Sequence, residues 1–100
     1  MQRVIRRIAI RGRVQGVGFR AWTQAQALAH GVEGWVRNRR DGCTVEAVFA
    51  GSAQAVADMV EACRCGPPGA NVIGLDQFES SEAELALRGN GGGFAGLPTV

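Results

Sequence analysis

Lysine is absent from this chain, so all eleven basic residues are arginine, set against nine acidic residues for a formal net charge of +2. Histidine and cysteine are scarce as well. The single His30 with Cys43, Cys63 and Cys65 makes a poor zinc site, because such a site wants four ligands at characteristic spacings. Three cysteines, two of them in one Cys-x-Cys pair, read instead as ordinary reduced thiols of a cytoplasmic protein. Long apolar runs are missing too: none approaches the roughly eighteen residues of a membrane-spanning helix. The opening MQRVIRRIAI is broken by Arg6 and Arg7 and leads to no small-residue cleavage site, so it reads as a strand and not as a signal peptide.

What is present fits one globular domain over residues 1–100. The chain is 46% hydrophobic and 20% charged, the balance of a globular protein and not of a disordered tail. A chain of this size buries one modest core and has no room for a separate cofactor domain. Nine of the eleven arginines precede Asp41, which points to an anionic partner for the N-terminal half, either nucleic acid or a small phosphate compound.

Periodicity divides the chain into alternating elements. From Arg7 onward, Ile8 and Ile10 face opposite to Arg7 and Arg11, the mark of a half-buried strand. Trp22, Ala25, Leu28 and Ala29 recur at helical spacing over residues 21–30, and Gly31 is a natural left-handed stop. Residues 32–39 and 43–50 read as two strands joined at Asp41-Gly42, with Val45, Ala47 and Phe49 on one face. Ser52 is a plausible N-cap for a second helix whose stripe is Val56, Met59, Val60 and Cys63 and which ends before Pro67 and Pro68. A fourth strand is expected over 70–79, a loop over 80–93 and an edge strand over 94–100. The order β-α-β-β-α-β predicts an α+β fold, a ferredoxin-like sandwich with an antiparallel sheet of four to five strands and two helices on one face.

Two stretches carry chemistry. The first is GRVQGVGFR, residues 12–20, between the first strand and the first helix. Amide groups in a glycine-containing loop that opens a helix converge on an anion, because they lack helical partners and sit at the positive end of the dipole. Gly12, Gly16 and Gly18 permit unusual φ or close approach, and Arg20 offers a guanidinium fork for two phosphoryl oxygens. No Gly-Lys-Ser/Thr follows, so it is not a Walker loop. The second is GWVRNRRDG, residues 34–42, in which Asn38 can both donate and accept and so can hold a water with its lone pair aimed at phosphorus.

Together these stretches resemble the two signatures of the acylphosphatase family, and CGPPGANV at 65–72 is similar to that family's exit from its second helix. The resemblance extends over residues 3–79. It implies a ferredoxin-like fold and hydrolysis of an acyl phosphate to a carboxylate and inorganic phosphate. It assigns Arg20 to the phosphoryl group, Asn38 to the nucleophilic water, and Gln15, Gly16, Val17, Gly18 and Phe19 to the amide cradle. It implies no metal or organic cofactor, and no partner besides the small-molecule substrate: neither nucleic acid nor membrane, with the chain acting as a monomer. The scarcity of histidine agrees, since a carboxylate leaving group with a conjugate-acid pKa of about 4 departs without a general acid. Two alternatives stand beside this one. Similar domains occur fused within hydrogenase-maturation carbamoyltransferases, where the chain would be a non-catalytic anion-binding module. RNA-recognition domains share the sheet but stack bases on central-strand aromatics, whereas the outer face of 43–50 shows Thr44 and Glu46. His30 is expected at a helix end, Trp22 and Trp35 in packing, and Arg37, Arg39 and Arg40 on a solvated hairpin face.

Overall fold

Alternation makes β1 (Arg3–Arg13) two-faced: Ile8 and Ile10 are buried on one side, and Arg7 and Arg11 line the other. The computed structural model describes residues 3–89 and 91–100. From β1 the chain runs through α1 (Phe19–His30), β2 (Glu33–Asn38), β3 (Thr44–Ser52), α2 (Ala53–Cys65) and β4 (Asn71–Glu79). It then passes through a short α3 (Glu82–Leu85), a 3-10 turn (Ala86–Arg88) and β5 (Phe94–Gly96). The sheet order is β4-β1-β3-β2-β5. Its first four strands pair antiparallel, the split arrangement of a ferredoxin-like sandwich.

The fifth strand departs from an all-antiparallel sheet. Glu79 pairs with Arg6, so β4 ends at the edge where β1 and β2 begin. A strand entering from that edge and lying beside β2 must run in β2's direction, and β5 does, with Gly34 opposite Phe94 in a parallel pair. The loop expected over 80–93 contains α3 and the 3-10 turn. Ser81 caps α3 by accepting from the Glu84 amide at 3.3 Å.

The helices α1 and α2 cover one face, over a core that includes Ile8, Ile10, Val36, Val45, Ala47 and Phe49. Val56, Met59, Val60 and Cys63 are the buried stripe of α2, as periodicity predicts, and Ser52 Oγ accepts from the Ala55 amide at 3.1 Å. In α1 the predicted stripe is wrong. Ala25, Leu28 and Ala29 are exposed, Leu28 to 84%, and the buried residues are Phe19, Thr23 and Ala27. The helix starts two residues earlier than its apolar content suggested, with Phe19 as the anchor. A polar residue takes the core position four further on, because Thr23 Oγ1 donates to Phe19 O at 2.8 Å and so enters satisfied. Trp22 lies half-buried, edge-on to Phe19, and His30 Nδ1 lies 2.8 Å from Gln26 O at the helix end.

The opposite face is not open throughout. Trp35, Val48, Ala50 and Leu85 form a second buried cluster, and Trp35 Nε1 donates to Glu84 O at 2.8 Å. Thus Trp35 packs against α3 and not under the two long helices. Because Leu85 is the apolar plug of this cluster, Leu85→Ala is expected to cost roughly 2–3 kcal/mol. Urea unfolding tests this: a lowered midpoint at unchanged slope supports it, and an unchanged midpoint contradicts it.

Candidate active site

The site begins where β1 gives out. Val14, fully buried, anchors the chain, and the loop 15–18 swings out before α1 starts. Gly18 is the N-cap with φ 79°, and Gly16 has φ 74°. Both lie in the left-handed region that side chains avoid. A Cβ at either would meet nothing within 4 Å, so φ and not crowding requires glycine there. Gly12 differs: its Cβ would fall 2.2 Å from Asn71 O, so it serves the packing of β1 on β4. At the N-terminus of α1 no side chain caps the helix, and no acidic residue occupies the first turn. The first amides therefore keep their positive end turned outward, as an anion site requires.

The predicted cradle residues have unlike surroundings. Gly16 and Gly18 are exposed, Val17 is half-buried against the core and the Phe19 side chain is buried in it. The Gln15 side chain does what its position in a loop did not announce. Its Nε2 donates to Arg39 O at 2.7 Å and to Thr44 O at 2.9 Å, bolting the loop to the hairpin between β2 and β3. That hairpin is held in turn by Asp41, whose Oδ1 accepts from the Cys43 and Thr44 amides at 2.9 Å each and whose Oδ2 accepts from Thr44 Oγ1 at 2.6 Å. These bonds, that from Thr44 first, hold the Asp41 carboxyl below its ordinary range.

Loop and hairpin enclose a cavity of about 220 Å³ whose lining includes Val14, Gly16, Gly18, Phe19, Arg20 and Asn38. It is smaller than the roughly 300–1,000 Å³ of pockets for drug-sized ligands. It spans about seven times the ~30 Å³ that one water occupies in the liquid, so a phosphoryl group and a water fit within it with room to spare. Arg20 is its single charged lining residue. The Arg20 side chain is exposed, with Nη1 3.4 Å from Leu97 O. Asn38 Oδ1 is buried, and no described protein group donates to it. A roomier groove of about 430 Å³ lies between α1 and β5, but its one charged lining residue is Glu33, the wrong sign for phosphate.

The edge strand expected over 94–100 is regular only over Phe94–Gly96, and its partner β2 was not legible in sequence. The C-terminal segment runs on from β5 along β2, with the Leu97 amide donating to Val36 O at 2.8 Å and the Val100 amide to Asn38 O at 3.3 Å. It thereby holds the strand end that carries Asn38. Of the hairpin arginines, Arg37 and Arg39 are committed elsewhere, at 2.8 and 3.4 Å from Glu46. Among the described residues no three His, Cys, Asp or Glu side chains cluster as metal ligands would, and no helix is long and apolar enough to cross a membrane.

Comparison with known proteins decides the family. The Acylphosphatase family model matches residues 6–89. An acylphosphatase of Bradyrhizobium diazoefficiens is 56% identical over 100 residues, covering all of both chains. The chain belongs to the acylphosphatase family. It is a hydrolase of acid anhydrides that splits acyl phosphates into carboxylate and inorganic phosphate. The crystal structure of acylphosphatase from Bacillus subtilis superposes with a TM-score of 0.80 at 37% identity, covering 94% of this chain and 98% of that one. Full-length HypF in its phosphate- and nucleotide-bound form shares the fold at a TM-score of 0.78 and 24% identity, covering 98% of this chain but 12% of that one.

Two predictions concern the scaffold of the acylphosphatase site. A carboxyl held below its unfolded pKa of about 3.9 stabilises the fold above that pH, and the stabilisation fades as pH falls through the folded value. Asp41→Asn keeps an Oδ1 acceptor but removes the titration, so its loss of stability between about pH 5 and pH 2 should be shallower than that of the parent. Equal acid slopes in denaturant titrations would refute this. Gln15→Ala removes both bonds of the link, while Thr44 O keeps the Arg39 amide at 2.9 Å and Arg39 O the Gly42 amide at 3.4 Å, so the cost is that of two ordinary hydrogen bonds, roughly 1–3 kcal/mol, visible as a lowered melting temperature.

Proposed function

We propose that catalysis occurs in the 220 Å³ cavity and that the parts identified in the sequence carry it. The amides of residues 15–19 and the Arg20 guanidinium hold the phosphoryl group, and Asn38 holds the attacking water. The observation that carries this reading is Asn38 Oδ1: it is buried in the wall of the cavity that Arg20 lines, and no described protein donor satisfies it. A buried acceptor without a partner costs roughly 1–3 kcal/mol. Such a cost is understandable where the acceptor's partner is a water used in the reaction.

The steps balance without further groups. The water gives one hydrogen bond to Asn38 Oδ1, which leaves an oxygen lone pair directed at phosphorus. A new P–O bond forms as the bond between phosphorus and the acyl oxygen breaks, and the electron pair leaves on the carboxylate. The water's proton passes to a phosphoryl oxygen, giving dihydrogen phosphate. Phosphoryl transfer depends mainly on positioning and on neutralising the equatorial oxygens. Arg20 and the uncapped amides of α1 meet that need.

In this reading the chain acts as a monomer, since cradle, arginine and asparagine all come from one chain, and it works in a reducing cytoplasm, to which three free thiols are suited. Nucleic acid is not a partner. The face of the sheet away from α1 and α2 carries Arg7, Arg37 and Arg39 gathered on Glu46 and Arg11 paired with Asp76, and its exposed aromatic, Phe78 on the edge strand β4, has its ring covered by the Arg7 guanidinium at 4.5 Å, where a stacking base would need it open.

Arg20→Ala is expected to lower kcat/KM for acetyl phosphate by roughly a thousandfold or more and to weaken binding of inorganic phosphate. Asn38→Ala is expected to lower kcat by at least roughly a hundredfold, with phosphate binding kept and thermal stability unchanged or raised, since it removes an unpaired acceptor. An Asn38→Ala protein with parental kcat would exclude the proposed water site.

A further inference from the structure

The turn that follows α2 packs against the loop that opens α1. Gly66, the first residue after α2, has φ 68° and ψ −172°, a region open to little besides glycine. It also has no room for a side chain: a Cβ there would fall 2.7 Å from Phe19 Cε2 and 3.2 Å from Ala70 Cβ. The Ala70 amide donates to Pro67 O at 3.1 Å, and Gly69 has φ 90°. With Pro68 before that glycine, residues 67–70 form a type II turn. Two prolines of fixed φ stiffen it, and Pro67 is buried. Val17 Cγ1 lies 3.9 Å from where a Gly69 Cβ would stand, so the turn supports Val17 as well as Phe19.

Phe19 is the more constrained of the two. It is 2% exposed, begins α1 and lines the 220 Å³ cavity. Its ring meets Trp22 edge-on with centroids 5.4 Å apart, and its carbonyl accepts from Thr23 Oγ1. A Cβ on Gly66 would force the ring to retreat by roughly 0.8–1.3 Å to regain an ordinary carbon–carbon separation. A close-packed interior passes such a shift on, and the Phe19 backbone moves with its ring.

Resting on the catalytic reading above, we propose that Gly66 is a positioning residue of the active site: by admitting the Phe19 ring against the turn 67–70, it sets the depth at which the amides opening α1 meet the phosphoryl group. Gln15 fixes the loop's distance from the hairpin, and Gly66 fixes its seat on the core. Misplacement by about 1 Å can cost a positioning catalyst on the order of a hundredfold in rate.

The test sets Gly66→Ala against Gly89→Ala. Gly89 has φ 94° and ψ −167°, the same backbone region, but a Cβ there would meet nothing within 4 Å. Both variants are expected to melt roughly 4 °C or more below the parent. Assayed well below those midpoints, only Gly66→Ala is expected to lose kcat/KM for acetyl phosphate, by roughly ten- to a hundredfold, and to bind inorganic phosphate more weakly. In a Phe19→Leu background, which lacks the crowding ring atoms, Gly66→Ala is expected to change kcat/KM by less than about twofold. Parental kcat/KM in Gly66→Ala, an equal loss in Gly89→Ala, or the same loss with and without the Phe19 ring overturns the assignment. If Gly66→Ala does not fold, Phe19→Leu alone decides: it removes the ring from its seat, so a roughly tenfold loss of kcat/KM supports the proposal and parental kcat/KM overturns it. Arg20→Ala keeps the two readings apart. If it turns over acetyl phosphate like the parent, the catalytic reading falls and takes this proposal with it; if it is impaired while Gly66→Ala is not, only the role of Gly66 falls.

Discussion

The two hydrogen bonds from the Gln15 amide to Arg39 O and Thr44 O are the constraint on which the site depends. The loop 15–18 leads into α1, and Asn38 ends β2. These elements are neighbours in the sheet-and-helix sandwich, but a loop rich in positive-φ glycines has many conformations of similar energy. Gln15 removes that freedom at the one place where the loop's distance from the hairpin matters. Asp41 stiffens the receiving side of the link, and the C-terminal segment braces β2 through Val36 and Asn38. The loop and Asn38 are consequently presented as one wall of the cavity, the arrangement that the proposed positioning catalysis needs.

Electrostatics divides the molecule in the same way. All the basic side chains apart from His30 are arginines, and four of the eleven, Arg7, Arg37 and Arg39 around Glu46 and Arg11 on Asp76, are spent on pairs over the face away from the long helices. Such exposed or partly exposed pairs contribute little stability individually. Their larger effect is to leave uncompensated positive charge at one end of the sheet. There the uncapped N-terminus of α1 adds its dipole to Arg20, so the field for an anion is built from backbone and side chain together.

Much of this was legible in the sequence. The strand periods of β1 and β3, the Ser52 cap, the Val56-Met59-Val60-Cys63 stripe and the proline stop each rest on interactions within a few residues, and each was read correctly. The two signatures pointed to the family to which the chain belongs, and the roles proposed for the glycine loop, Arg20 and Asn38 rest on what those residue types can do for a phosphoryl group. The α1 stripe misled for a physical reason: Thr23 enters the core by bonding to Phe19 O, while Leu28 is left in solvent, and neither choice follows from hydrophobicity alone. Residues 80–93 read as loop because α3 is too short to show a period, and its one buried contact, Leu85, lies against Trp35 far away in sequence.

The sequence by itself determined the local devices: which segments alternate, where the long helices end, which glycine-rich loop opens α1 and which arginine stands beside it. These follow from dihedral preference, hydrogen-bond inventory and spacing. Only the tertiary structure decided the direction of β5, the second core under α3, the Gln15 link, the open acceptor of Asn38 and which arginines remain unpaired. Each of these depends on partners distant in the chain, and the balance of desolvation and hydrogen bonding that selects them exists only once the sheet has brought those partners together.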